Sequence, residues 1–424
     1  MPDTYLPRHL VPELEAALKH TRIVNLTGPR QAGKTTLVRD LFARGRLVSL
    51  DDAATLAAIE TDPYGQIRSL RDQLGDQPLI IDEAQRSARL PLAIKQIVDA
   101  DRRKGQFVLT GSSNVFRTAT VADSLAGRMR SLTLWPLSAA EIHRAPVSRL
   151  VSWATGKDPQ LSAIRAKAVS RPAIIDLVLR GGFPEIRQMP LRERQRQYRD
   201  NVDAMIDRDV ADIMKIRKPD ALRRLTDQMA ARTANELNIV ELSNAVKVRR
   251  ETTQQYIDIL LRLSVIVQLG AWASGEGKRE IRNPKYHFAD SGVLCALRRF
   301  GDQSFDLGAD PVAFGAVLES YVLNELLRAA PLQDADARFY HWRSADRREI
   351  DILIESGRSL VGVEVKASAS VDAGDLRHLR WFSQDGPGRT RQFTGIVFYL
   401  GSEKLSFGNR LFALPVSSLW SGSG

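Results

Sequence analysis

Over the first third of the chain, short apolar runs alternate with stretches whose apolar residues recur at helical spacing, the sequence form of an α/β sheet with crossover helices. The runs predict strands at Arg22–Thr27, Leu47–Leu50, Pro78–Asp82, Phe107–Thr110 and Ser131–Leu134. Pro136 then ends the block, because proline cannot extend a central strand. From Ser138 to about Lys218 the pattern turns helical and charged, broken by Gly181-Gly182-Phe183-Pro184. Between Asp220 and Trp272 it predicts three helices and a strand, with Glu241–Val246, a turn at Lys247-Val248 and Arg249–Leu263 in helix-turn-helix order. A last block reads as a helix (Phe314–Leu327), strands at Arg338–Trp342, Glu349–Glu355 and Leu360–Lys366, a helix near Asp375–Trp381 and a strand at Ile396–Leu400.

The 424 residues exceed one ordinary core. Four units are expected: residues 1–137, 138–218, 219–283 and 284–424. A single cysteine, Cys295, and six scattered histidines exclude a disulfide framework and offer no zinc-type ligand set. No signal peptide and no apolar run of about 20 residues is evident, so a cytoplasmic protein without membrane contact is expected. The formal charge of +11 favours a polyanionic partner, although arginine-rich composition alone can produce it.

Chemistry concentrates at Gly28-Pro29-Arg30-Gln31-Ala32-Gly33-Lys34-Thr35, which fits G-x-x-x-x-G-K-[ST] between a predicted strand and helix. In such a loop, backbone N–H groups wrap phosphate, Lys34 supplies charge to it, and the Thr35 hydroxyl ligates Mg²⁺. Thr36 follows on the helix. Pro78-Leu79-Ile80-Ile81-Asp82-Glu83 ends a strand in two acids, with Asp82 expected to hold Mg²⁺ and Glu83 to polarise the attacking water. Ser112 or Asn114, just after the next strand, is placed to sense the γ-phosphate. Arg128 or Arg130 is a candidate for stabilising transition-state charge, or a solvated surface arginine.

These residues, with Asp82-Glu83-Ala84-Gln85, Leu109 to Asn114 and Leu125-Ala126-Gly127-Arg128, resemble a prokaryotic AAA+ family of ATP-binding proteins carrying a C-terminal domain of unknown function. The resemblance implies a P-loop AAA+ core with a helical lid, and ATP with Mg²⁺ as cofactors. An arginine finger would further imply a homo-oligomer in which one subunit completes another's site. Gly182-Phe183-Pro184 resembles the G-x-P signature of initiator and STAND-type ATPases, whose lid proline lies near the base; a simple helix break is the other reading.

Basic residues at the second helix of the helix-turn-helix, Lys247, Arg249 and Arg250, with Gln254 along it, are DNA-contact candidates in a segment that resembles a winged helix. Such domains also serve as protein contacts. In the last block, Asp351 and Glu364-Val365-Lys366, with Glu319 on the preceding helix, resemble the PD-(D/E)xK, restriction-endonuclease-like α/β fold. There, carboxylates would hold a divalent cation and Lys366 would act as the catalytic lysine. Glu349-Ile350 stands before Asp351 where the name-giving pattern has proline, and the same residues would also suit a polar sheet face with ion pairs. The sequence thus predicts ATP hydrolysis coupled to DNA binding or processing. The alternative is a STAND-like switch acting on a protein partner, with an inactive nuclease-like fold; a small-molecule P-loop kinase lacks an evident acceptor site.

Overall fold

The computed structural model describes residues 6–43, 45–111, 125–157, 159, 161, 164, 166–213, 219–274, 283–301, 311–333 and 336–420. The N-terminal layer comprises α1 (Val11–His20), β1 (Ile23–Thr27), α2 (Lys34–Leu41), β2 (Arg46–Ser49), α3 (Ala53–Thr61), α4 (Pro63–Asp72), β3 (Leu79–Asp82), α5 (Leu90–Ala100), β4 (Phe107–Thr110) and β5 (Met129–Thr133). All pairings in its sheet are parallel, in the order β2-β3-β4-β1-β5. Both faces are covered, so the strands read as continuous apolar runs rather than alternating ones. Ile23, Ile81, Phe107 and Leu109 enter one buried cluster, while Val24, Leu26, Ile80 and Val108 enter the other. Each such side chain contributes roughly 1.5–3 kcal/mol by leaving water.

Next come α6 (Ala139–Ile142), α7 (Leu150–Thr155), α8 (Arg171–Arg180), α9 (Leu191–Ile213), α10 (Pro219–Ala231), α11 (Ile239–Val246), α12 (Arg250–Arg262), β6 (Ile266–Ala271), β7 (Lys285–Phe288) and α13 (Ser291–Leu297). Ser138 and Glu141 cap α6 reciprocally. The turn between α11 and α12 forms because Lys247 takes a left-handed conformation, φ 57°. The chain ends with α14 (Pro311–Ala329), β8 (Arg338–Arg343), β9 (Glu349–Ser356), β10 (Ser359–Val365), α15 (Arg377–Gln384), β11 (Gln392–Tyr399), β12 (Leu405–Ser406) and β13 (Leu411–Pro415).

A second sheet runs β12-β13-β11-β10-β9-β8-β6-β7. Strands β8, β9 and β10 are antiparallel neighbours, and β11 joins β10 in parallel. On one face, Val317, Leu318 and Tyr321 of α14 share a core with Ile352, Val361 and Ile396; on the other, Leu379 and Phe382 of α15 pack with Leu353, Leu360 and Val397. The expected boundary at 283/284 therefore needs correction. It separates β6 from β7, which pair in register from Ile266↔Phe288 to Leu269↔Lys285, while β6 also pairs with β8. The core under α14 continues into residues of α8, α9, α10 and α12, so the two central units and the last one share buried packing. Among the described residues no helix is long and apolar enough to cross a membrane.

Candidate nucleotide site

The P-loop joins the carboxyl end of β1 to the N-terminus of α2, the edge of an open parallel sheet where ligands bind. Its bends depend on positive φ at Gly28 (141°), Gln31 (61°) and Gly33 (96°). At Gly28 a Cβ would lie 2.2 Å from the Leu134 carbonyl oxygen, so no other residue fits without moving the backbone just after β5. Lys34 is buried and donates to the carbonyls of Gly28 and Pro29, each at 2.9 Å, which points its ammonium back across the loop.

Strand β4 lies between β1 and β3, and it supplies a group absent from the sequence reading. Thr110 donates to Asp82 Oδ1, while Thr35 donates to Asp82 Oδ2 at 3.0 Å. Both oxygens of the carboxylate are thereby oriented, and Thr35 and Asp82 are brought together as expected. Beside them Glu83 is strained into φ 54° and accepts from Gln85 Nε2. Burial pushes the Glu83 carboxyl up; the Gln85 donation and the Lys34 charge oppose this without cancelling it.

A cleft of about 530 Å³ opens over the loop, within the range of small-molecule sites. Arg30, Lys34, Thr35 and Glu83 line it together with Leu6, Leu137, Pro184 and Glu185. Pro184 of the Gly-x-Pro turn thus borders the phosphate loop. Asn201 of α9 also reaches the loop, donating to Gln31 Oε1. Thr36 lines the cleft as well.

Arg8 is the second functional residue that sequence reasoning missed, since it lies in no motif. Nearly buried, it donates to the Ala32 carbonyl at 2.8 Å, to the Trp135 carbonyl at 2.5 Å and to Glu141 Oε1 at 3.1 Å. Glu141 also accepts from the His9 and Ser138 backbone N–H groups. Burial pushes its carboxyl up, but Arg8 and these donors outweigh that and hold it below the ordinary range.

Arg128 is placed elsewhere. It precedes β5, and the register Ile23↔Met129 sets it at the amino end of β1, opposite the P-loop end. There it grips Asp99 with bonds of 2.5 and 2.9 Å, and Arg130 pairs with Glu13. This position keeps both arginines away from their own chain's phosphate loop, and bears on neither the role toward another subunit nor the surface-arginine reading. Ser112 and Asn114 lie outside the described residues.

In the C-terminal sheet, Glu319, Asp351, Glu364 and Lys366 converge, since the carboxylates of Glu319 and Glu364 both feel Asp351. The pairs Tyr340↔Leu353 and Trp342↔Ile350 place one extra residue in β9 opposite His341, a bulge of the kind that re-aims side chains. Asp351 Oδ2 accepts from the Val365 N–H at 2.9 Å, and Lys366 Nζ lies 3.3 Å from Glu364 Oε2. Burial pushes Glu319 up to about 8 and Glu364 well above the carboxylate range. Two neighbours were missed: His287 and Lys285, whose Nζ lies 2.6 Å from Glu349 and 3.1 Å from Glu319. Lys247, Arg249 and Arg250 lie exposed at the α11–α12 turn, and Gln254 bonds Asp258 at 2.9 Å.

Comparison with known proteins bears on this arrangement. The family described as AAA domain matches residues 20–143, which span the P-loop, Asp82 and Thr110. Two domains of unknown function, DUF8612 and DUF4143, match residues 171–304 and 314–419. The uncharacterized protein Rv2008c of Mycobacterium tuberculosis is 30% identical over 370 residues, covering 86% of this chain and 74% of its own. The chain belongs to that protein's family. Mb2031c of Mycobacterium bovis, also uncharacterized, matches to the same extent. This AAA family member also shows distant likeness to solved structures. The Walker-type ATPase PABY2304 of Pyrococcus abyssi is 15% identical, with a TM-score of 0.44 over 68% of this chain and 94% of that one. AMPPCP-bound DnaA from Aquifex aeolicus is 15% identical, with a TM-score of 0.30 over 59% and 85%. The STAND protein PH0952 of Pyrococcus horikoshii is 11% identical, with a TM-score of 0.28 over 78% and 47%.

Proposed function

We propose that this AAA protein binds and hydrolyses ATP with Mg²⁺ and uses the cycle to change how its C-terminal modules engage DNA. One observation carries the ATPase reading: Asp82 is held by Thr35 and Thr110, and Thr35, Lys34 and Glu83 line a cleft that Pro184, Glu185 and Gln188 of the lid also line. The hard-oxygen pair of Thr35 and Asp82 suits Mg²⁺, which takes few protein ligands and completes its shell with phosphate and water. When bound, the ion would neutralise phosphate charge. Lys34 would leave the Gly28 and Pro29 carbonyls for the phosphates. Glu83 would accept a hydrogen bond from the attacking water, with Gln85 fixing its carboxylate.

The DNA reading is supported by Lys247, Arg249 and Arg250, which are exposed and have no ion-pair partner among the described residues. It is also supported by the order α10-α11-α12-β6-β7, that of a winged helix. The sequence α14-β8-β9-β10-α15-β11 supports a nuclease-like fold. A second reading, an ATP-dependent switch acting on a protein partner, is favoured by the lack of a metal-type cluster among the described residues. ATP turnover with and without duplex DNA, across a salt series, separates them. Stimulation and steeply salt-dependent binding are expected; salt-insensitive or absent DNA binding would leave the switch.

A further inference from the structure

The nuclease-like reading of the C-terminal sheet calls for a divalent cation, and the residues present do not fit one. Such a cation needs several oxygens with open lone pairs converging on one point. Among the described residues, no three His, Cys, Asp or Glu side chains are so grouped. One oxygen of each carboxylate is already engaged: Glu319 Oε1 and Glu349 Oε1 by Lys285, Asp351 Oδ2 by the Val365 N–H, and Glu364 Oε2 by Lys366. Of these four carboxylates, Glu364 has its Oε1 buried without a hydrogen-bond partner among the described residues, on a residue 5% exposed.

Lys285 is no surface visitor. It lies on β7, the last strand of the sheet, and is 1% exposed. An ammonium so buried is tolerated only when acids surround it. Glu319, Asp351 and Glu349 all act to keep it charged. The neighbouring His287 is neutral, burial and the Lys285 charge both holding its imidazole low.

We infer that Lys285 is the resident cation of this cluster, standing where a phosphodiesterase would place its metal, so that the centre is closed to divalent ions in the nucleotide-free arrangement. This rests on the nuclease-like reading, and the test separates the two. Mn²⁺ is the probe, with binding to the full nucleotide-free chain followed by calorimetry and by electron paramagnetic resonance. The wild-type isotherm is expected to be unchanged by Asp351→Asn. Lys285→Met is expected to gain a site at least about tenfold tighter than any wild-type binding there, and Lys285→Met with Asp351→Asn to lose it. Asp351-dependent Mn²⁺ binding in the wild type overturns the plug while leaving the nuclease-like reading standing. No binding in either Lys285 variant sinks both. Should Lys285→Met not fold, Lys285→Gln, which keeps a donor toward Glu349, replaces it with the same expected gain and the same overturning result.

Discussion

Arg8 and Glu141, 133 positions apart, meet at 3.1 Å behind the P-loop. The guanidinium also holds the Ala32 carbonyl, so the shape of the phosphate loop depends on a pair contributed from outside the parallel sheet. Removing one member strands the other as a buried charge, at a cost of about 3–5 kcal/mol. Arg8→Ala is expected to destabilise the fold by that order and to weaken nucleotide binding; denaturant unfolding and titration with a fluorescent ATP analogue check both. The Glu141 carboxyl lies below its ordinary value in the folded chain, so its contribution is complete above about pH 4–5 and is lost as pH falls through the depressed folded value. Unfolding measured against pH should show that acid-side loss, and Glu141→Gln should remove it.

Glu83 provides the test of hydrolysis. Glu83→Gln is expected to keep ATP bound while slowing turnover by about 10²–10⁴, whereas Lys34→Ala should abolish binding or turnover. Near-normal turnover in either would overturn the assigned role. The carboxylate is the working form, so turnover should fall as pH drops through the Glu83 value, which burial has raised. Gln85 donation favours that carboxylate, so Gln85→Ala should move the acid limb of the kcat profile to higher pH. An unmoved limb would separate Gln85 from Glu83.

The parts of this site legible in sequence were those bound to local backbone rules. A loop needing positive φ at Gly28 and Gly33, and a buried strand ending in Asp82 and Glu83, leave their spacing in the chain. Phe107–Thr110 is observed as predicted, and the predicted helices near Glu241 and Arg249 lie within two residues of the observed ones. Partners chosen by tertiary packing leave no such trace. Arg8, Thr110 as a ligand of Asp82, and Lys285 act through strands and helices brought together only on folding. Strand β7 was missed for the same reason: all of its residues are buried, so no alternation marks it. Placing Arg128 required the parallel register of β5, which spacing does not supply.

For DNA engagement, the charge reversal Arg249→Glu with Arg250→Glu is the direct test. Both residues lie exposed at the start of α12 and neither lines the nucleotide cleft, so basal ATP turnover should be unchanged. Duplex binding should weaken, and the slope of log affinity against log salt should fall by about 2 if each contacts one phosphate. An unchanged slope would remove this turn from the DNA surface.

The lid is the route by which the nucleotide can reach the C-terminal modules. Asp290 caps α13 through the Gly292 and Val293 N–H groups and uses its second oxygen to accept from Gly182 at 2.8 Å, two residues before Pro184, which lines the cleft. Arg328 of α14 stands 3.8 Å from that oxygen and donates to the carbonyl of Leu137, which also lines the cleft and whose N–H donates to the Gly182 carbonyl at 2.7 Å. Helix α14 also carries Glu319 of the acidic cluster, so one helix reaches that cluster directly and the nucleotide cleft through Leu137. Asp290→Asn can keep the helix cap through its carbonyl oxygen but presents an N–H group to Gly182. Folding should survive, while loss of a bond to a charged acceptor, about 1.5–3 kcal/mol, should weaken ATP binding by roughly tenfold or more. DNA stimulation of turnover should fall with it, because the lid would no longer report to α14. Wild-type nucleotide affinity together with intact stimulation in Asp290→Asn would show that the coupling runs by another path.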